Sequence, residues 1–162
     1  MHMSRSQFVK LAAVSPVMGV LVAPAAAQEA TPEPDAGAIP MREVLNAGLP
    51  VVVPGYQLTL TRVTIPPGTT IDAHMHTGMQ LAHIESGTVR FTVVNGEAPY
   101  TQGTEGVLRA GESIDFGPGD RVTELPGVVH IAENVGDDLV VIYTTSLFVA
   151  GMPGSITVEP DS

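Results

Sequence analysis

The chain has 162 residues, no cysteine, and 17 acidic against 7 basic side chains, for a net charge of −10 at pH 7. That length holds one domain with a modest core, and without cysteine there is no disulfide staple, thiolate ligand or cysteine nucleophile. The strong acidity removes a basic nucleic-acid footprint and any attraction to anionic lipid, while Gly 17 and Pro 14, with many Val and Thr, favour an all-β domain rich in tight turns.

Residues 1–27 read as an export signal: Arg5 and Lys10 give a positive start, Leu11 to Val22 an apolar stretch, and Ala25-Ala26-Ala27 a small-residue cleavage site. Maturation near Gln28 is expected, with the protein secreted, periplasmic or at the cell surface. The apolar run is broken by Ser15-Pro16 and falls short of the ~20 residues of a span, so no stable membrane anchor is expected. Ser4-Arg5-Ser6-Gln7-Phe8-Val9-Lys10 also resembles the twin-arginine export pattern, with Ser6 in place of the second arginine. Cleavage removes Arg5 and Lys10 and leaves five arginines against the same 17 acids, or −12. Residues 28–45 form an expected disordered lead-in, polar and proline-bearing at its start. At its end, Met41 to Leu49 suits either a short helix or an edge strand stopped by Pro50.

Tyr56 to Ile65 reads as a strand whose alternation changes phase, with Leu58 and Leu60 on one face and Val63 and Ile65 on the other. A bulge near Thr61-Arg62 is expected to restore one apolar face. Pro66-Pro67-Gly68 turns the chain into a strand carrying His74 and His76. Gln80 to Glu85 and Thr88 to Val94 follow, the second with Val89, Phe91 and Val93 on one side. Asn95-Gly96 is expected to close a two-residue hairpin. Residues 97–112, with Tyr100, Gly103, Gly106 and Gly111, are expected to be an irregular surface excursion, or a rim over the barrel mouth. After the turn Gly117-Pro118-Gly119-Asp120, Arg121 to Leu125, Val128 to Asn134 and Leu139 to Thr145 complete the set. About eight or nine short strands with regular turns fit a double-sheet jelly roll closed as a small barrel.

Alternate side chains of an extended strand share a face, so His74 and His76 project together. His130 lies far downstream, after the turn Pro126-Gly127 that brings a new strand back past the first pair, with Asn134 at that strand's end. Imidazole is the commonest ligand for divalent transition metals, and three of them with one oxygen donor make an open site on a rigid sheet.

Gly68, five residues, His74-Met75-His76, three residues, Gln80, six residues and Gly87 resemble the first motif of the cupin family, with Gln80 where that motif carries glutamate. Gly119, Pro126-Gly127, His130 and Asn134 resemble its second motif, the proline standing one position late against Gly127. The likeness spans residues 46–146, and it implies a double-stranded β-helix, or jelly-roll barrel, over 46–150 with a tail at 151–162. It also implies a divalent transition metal on His74, His76 and His130. Gln80 either takes the fourth place or points at the ion without binding it. A glutamine offers a neutral carbonyl oxygen and no carboxylate base, which leaves the centre dipositive and favours an anionic substrate. Such a donor set suits Fe, Ni, Co, Cu or Zn better than Mn or Mg.

Because cupins include dioxygenases, isomerases, oxalate-degrading enzymes, storage proteins and sugar-sensing modules, fold alone does not choose a reaction. The expectation is a mononuclear three-histidine dioxygenase-type enzyme, or a related metalloenzyme, acting on a small oxygen-rich or anionic molecule. The alternative is non-catalytic capture of a small molecule or a metal. Cupins often pair through strand edges, which by resemblance implies a homodimer. His83 is expected on the face opposite the ligands, structural or at the surface, unless a bulge brings it round as an acid/base group. Met75 and Met79 are expected to pack the wall beside the ion. Tyr143 is either a core residue or a hydrogen-bond donor to a bound ligand. There is no G-x-S-x-G elbow or phosphate-cradling glycine loop. The many acids are expected to be spread through loops, so paired-carboxylate hydrolysis has no support.

Overall fold

The computed structural model describes residues 38–159. The export signal expected at 1–27 and the lead-in as far as residue 37 lie outside them. Among the described residues there are only strands: β1 (Met41–Gly48), β2 (Tyr56–Ile65), β3 (Thr70–Met75), β4 (Met79–Ser86), β5 (Val89–Asn95), β6 (Glu97–Gln102), β7 (Thr104–Arg109), β8 (Ser113–Phe116), β9 (Arg121–Glu124), β10 (Val129–Asn134), β11 (Val140–Val149) and β12 (Ile156–Thr157). They form two antiparallel sheets, a seven-stranded one in the order β1-β2-β11-β4-β9-β6-β7 and a five-stranded one in the order β12-β3-β10-β5-β8. This is the all-β jelly-roll architecture expected from the turn-rich, Val-rich sequence.

The two sheets share one core. In β5, Val89, Phe91 and Val93 point inward and are buried while Arg90 is exposed, as the period-two pattern requires. In β4, Gln80, Ala82 and Ile84 are buried and the residues between them are exposed. Ile65, Ile84, Val89, Val93 and Phe116 are essentially inaccessible, and burying each contributes about 1.5–3 kcal/mol.

Several expectations are corrected. Met41–Gly48 is a strand along the edge of β2, so the disordered lead-in drawn through residue 45 stops earlier and the edge-strand alternative is the one adopted. All of β1 is exposed. Backbone pairing, rather than an apolar face, holds it, and composition does not reveal that. β2 runs in unbroken register against β11 from Tyr56 opposite Val149 to Ile65 opposite Val140, with no bulge at Thr61-Arg62; the slip lies in β1, between Val44 and Asn46. Leu58 and Leu60 therefore remain on the outer face, exposed.

Asn95-Gly96 does not close a hairpin. β5 pairs with β10 and β8, whereas β6 pairs with β7 and β9, so Gly96, at φ 93°, is a corner where the chain leaves one sheet for the other. Residues 97–112 are not irregular either, since β6 and β7 form a regular antiparallel hairpin. Its glycine has a packing role: the Tyr100 ring occupies the space over Gly106, its cross-strand partner, where an added Cβ would lie 2.4 Å from the ring. Within the tail expected at 151–162, β12 pairs with β3 alongside Met75 and His74.

Candidate metal centre

The smaller sheet places the imidazoles. His74 on β3 stands directly opposite His130 on β10, and alternation past the end of β3 keeps His76 on the same inward side. The turn expected at Pro126-Gly127 closes the arrangement, because the Gly127 amide, at φ 76°, donates to the His76 carbonyl at 3.1 Å. All three rings are buried, with centroids 4.2 Å apart for His74 and His130, 5.1 Å for His74 and His76, and 5.2 Å for His76 and His130. One ring nitrogen from each lies within 4.8 Å of the others. Phe91 stacks on His130 at 4.8 Å and Phe148 on His76 at 5.3 Å, so aromatic walls limit how the rings can turn.

Hydrogen bonding fixes which nitrogen faces inward. His74 Nδ1 meets the Asp72 carbonyl oxygen at 2.8 Å, His76 Nδ1 that of Gly154 at 2.7 Å, and His130 Nδ1 that of Val128 at 3.2 Å. A carbonyl oxygen can only accept, so each Nδ1 carries its hydrogen and donates, which leaves Nε2 as the nitrogen that faces the common centre. This is the arrangement that orients a metal-binding imidazole and raises its basicity.

The larger sheet supplies the opposing wall. Gln80 on β4 and Glu124 on β9 are cross-strand partners, and both are buried. Gln80 Oε1 accepts from Ser146 Oγ at 2.7 Å, and Gln80 Nε2 donates to Glu124 Oε2 at 2.5 Å while lying 3.3 Å from His76 Nε2. Turning the amide over would set its oxygen against the carboxylate, so the glutamine presents N–H to the centre. Glu124 Oε2 is 2.8 Å from His76 Nε2 and 3.6 Å from His130 Nε2.

Glu124 escaped the sequence reading, which placed the acids in loops. The available signal was Val122: two residues apart on one strand, Val122 and Glu124 share the inward face, and an inward carboxylate needs a partner.

Electrostatics keep the centre ready for a cation. Burial lowers the pKa of His74 to about 4, with His130 adding to the effect, and burial likewise lowers that of His130, so both rings are neutral at pH 7. For Glu124, burial is the largest influence and favours the acid form. The hydrogen bond with His76 and the three nearby imidazoles together outweigh it, holding the group below its ordinary value and ionised. Imidazoles with Nε2 turned inward beside a carboxylate are the donor types a divalent transition ion takes, so these residues fit such an ion.

The cluster lines a cavity of about 210 Å³ together with Arg42, Val63, Ile142 and Thr144. Other residues singled out from the sequence lie elsewhere. His83 is exposed on the outer face, with Nε2 3.7 Å from Glu85 Oε2, as the unbroken alternation of β4 dictates. Met75 and Met79 alternate away from the histidines and do not line the cavity, which corrects the expectation that they pack its wall. Tyr143 is half-buried beside His83 and Thr123, also outside the cavity.

No curated protein matches the chain significantly in sequence. Among solved structures it is similar to a DMSP lyase from Ruegeria pomeroyi, at 17% identity over 65% of this chain and 45% of that one, with a TM-score of 0.50. It is also similar to a cupin superfamily protein from Desulfitobacterium hafniense, at 13% identity over 67% and 77% of the two chains, TM-score 0.48. An oxalate decarboxylase from Bacillus subtilis aligns at 20% identity over 62% and 24%, TM-score 0.46. The chain thus spans about half the length of the lyase and a quarter of that of the decarboxylase. The cupin domain model matches residues 61–147, just over half of the sequence and inclusive of every histidine of the cluster; the chain belongs to the cupin family.

Proposed function

We propose that this protein is an exported mononuclear metalloenzyme that acts on a small, anionic, oxygen-rich molecule, in the manner of a three-histidine dioxygenase or a related cupin enzyme. The observation that carries the reading is the repeated hydrogen bond: each of His74, His76 and His130 spends Nδ1 on a backbone carbonyl and turns Nε2 to one point. A divalent ion held there supplies Lewis acidity, and a redox-active one supplies access to dioxygen chemistry.

The rest of the cavity supports a small anionic ligand. At about 210 Å³ it is below the ~300–1,000 Å³ of sites for drug-sized molecules. Arg42 on β1 lies over the Phe148 ring at 5.9 Å and lines the cavity, and among the described residues it makes no ion pair. Its guanidinium offers the fork that recognises a carboxylate. Thr144 adds a buried hydroxyl with no hydrogen-bond partner among the described residues, placed to bond a ligand oxygen. Val63, Ile71 and Ile142 make the remaining wall apolar, which strengthens both interactions by excluding water.

Metal analysis of the purified protein, followed by oxygen uptake against a panel of small carboxylates, phenols and diketones, tests the reading. Bound metal and turnover are both expected, and both are expected to vanish in His74→Ala. Ligand binding without turnover that persists in His74→Ala would refute it in favour of a non-catalytic binding module.

A further inference from the structure

The position that carries glutamate in the first cupin motif holds Gln80, yet a carboxylate is present at the centre. It comes from the neighbouring strand: β4 and β9 pair so that Glu124 stands directly across from Gln80, and its Oε2 reaches the imidazoles from the same wall. We propose that Glu124 is the fourth protein ligand of the metal centre and that Gln80 is a positioning residue that holds it. This assignment rests on the metal reading above and changes the identity of the oxygen donor within it.

Three observations carry it. First, the spacing fits coordination. Donor atoms about 2.1 Å from one ion, at roughly 90–109° to each other, lie about 3.0–3.4 Å apart. Glu124 Oε2 is 2.8 Å from His76 Nε2 and 3.6 Å from His130 Nε2, on either side of that range. It stands outside the 4.8 Å mutual spacing of the three histidine nitrogens, so it approaches the centre from the side of those two rings rather than of His74. Second, His76 Nδ1 already donates to Gly154, so the Nε2 that meets Glu124 Oε2 at 2.8 Å is the nitrogen directed at the common centre. A ring nitrogen and a carboxylate oxygen that close share a positive centre, either a proton or a metal ion. Third, Gln80 is engaged on both ends. Its oxygen is taken by Ser146 Oγ and its N–H points at Glu124, so it presents no free oxygen to an ion and instead braces the carboxylate. The carboxylate also lowers the net charge of a divalent centre from +2 to +1, which a glutamine ligand would not do.

The assignment is tested by stripping the full-length protein with a chelator, titrating with Co(II) against a chromophoric competitor, and recording visible absorption of bound Co(II). Glu124→Gln is expected to weaken Co(II) binding by about 100-fold and to change the absorption, while His74→Ala abolishes tight binding. A folded Glu124→Gln protein that binds Co(II) within about threefold of the parent, or binds it more weakly with unchanged absorption, overturns the assignment and leaves the three-histidine centre intact. A His74→Ala protein that binds Co(II) like the parent overturns the metal reading and this assignment together. Should Glu124→Gln fail to fold, the infrared difference spectrum of the unaltered protein on adding Zn(II) decides. A shift of carboxylate stretching bands supports coordination, and its absence overturns it.

Discussion

Asn134, the last residue of the second motif, tests whether that motif serves the metal or the fold. Its side chain is 1% exposed and makes three hydrogen bonds: Nδ2 donates to the carbonyls of Ile65 and Asp138, each at 2.8 Å, and Oδ1 accepts from the Gly136 amide at 3.0 Å. It thereby ties the end of β2 to the turn between β10 and β11, and its backbone also bonds Gly68 and Thr69. Asn134→Ala removes all three side-chain bonds and leaves buried backbone groups without those partners. At about 1 kcal/mol net for each, the loss is about 3 kcal/mol, a large fraction of a stability of ~5–15 kcal/mol. Urea denaturation of the metal-free protein at pH 7 measures it, read as a lower midpoint at an unchanged slope. Asn134→Asp keeps the acceptor for Gly136 but sets a carboxylate against two carbonyl oxygens, so it is expected to cost at least as much. Co(II) affinity of the folded fraction is expected to stay within about threefold of the parent, because the side chain does not line the cavity. A loss below about 1 kcal/mol, or a selective loss of metal affinity, would refute the assignment of Asn134 as a latch.

Acid should destabilise the metal-free protein. His74 has a folded pKa of about 4 against an ordinary 6.5, so between those values the unfolded chain binds the extra proton and stability falls with falling pH, by about 3 kcal/mol over the window. The depressed pKa of His130 acts in the same direction, and that of Glu124 extends the loss below its own ordinary value. Thermal melts from pH 7 to pH 4 check this, and a flat profile in metal-free protein contradicts it. Gly78→Ala would set a Cβ 2.0 Å from the Leu147 carbonyl oxygen, a backbone atom that cannot swing away. A loss of at least about 3 kcal/mol, or no soluble protein, is expected in denaturation and expression assays. Arg42→Gln should weaken binding of small carboxylates by about tenfold or more in calorimetric titration while Co(II) binding is retained, not weakened, since the lost cation interacts with Glu124.

The centre was legible where its residues obey a linear rule. His74 and His76 are two apart on one strand, and a turn sits a few residues before His130, so alternation and turn chemistry bring them together without reference to any other strand. His83 was placed on the outer face by the same counting. The misreadings share a different cause, which is pairing between distant strands. Asn95-Gly96 carries the local signature of a hairpin, and its glycine does take positive φ, yet β5 finds its partners in β8 and β10. In β2, the change of phase suggests a bulge only if Leu58 and Leu60 belong to the core. β11 keeps them in register and leaves them outside. In residues 97–112 the inward face is short, the buried pair Ala98–Leu108 followed by Tyr100 over Gly106, so its alternation rests on few side chains.

The carboxylate illustrates why a motif written along one strand under-describes a site built on a sheet. What the ion senses is an oxygen at one point on the inner wall of the larger sheet, and two adjacent strands can deliver it there. Residues directly opposite on paired strands have Cβ atoms only about 4.5–5.5 Å apart, less than the reach of a glutamate side chain plus its partner. Exchanging which strand carries the acid and which the amide therefore preserves the donor while altering the linear pattern, provided the register Gln80–Glu124 is kept. The same logic explains the segment after residue 150, which looked like a tail. The Gly154 carbonyl sets the tautomer of His76 from 78 positions away, and β12 holds that carbonyl in place by pairing with β3 beside His74. Register, rather than composition, is thus the quantity on which both the ligand set and its orientation depend.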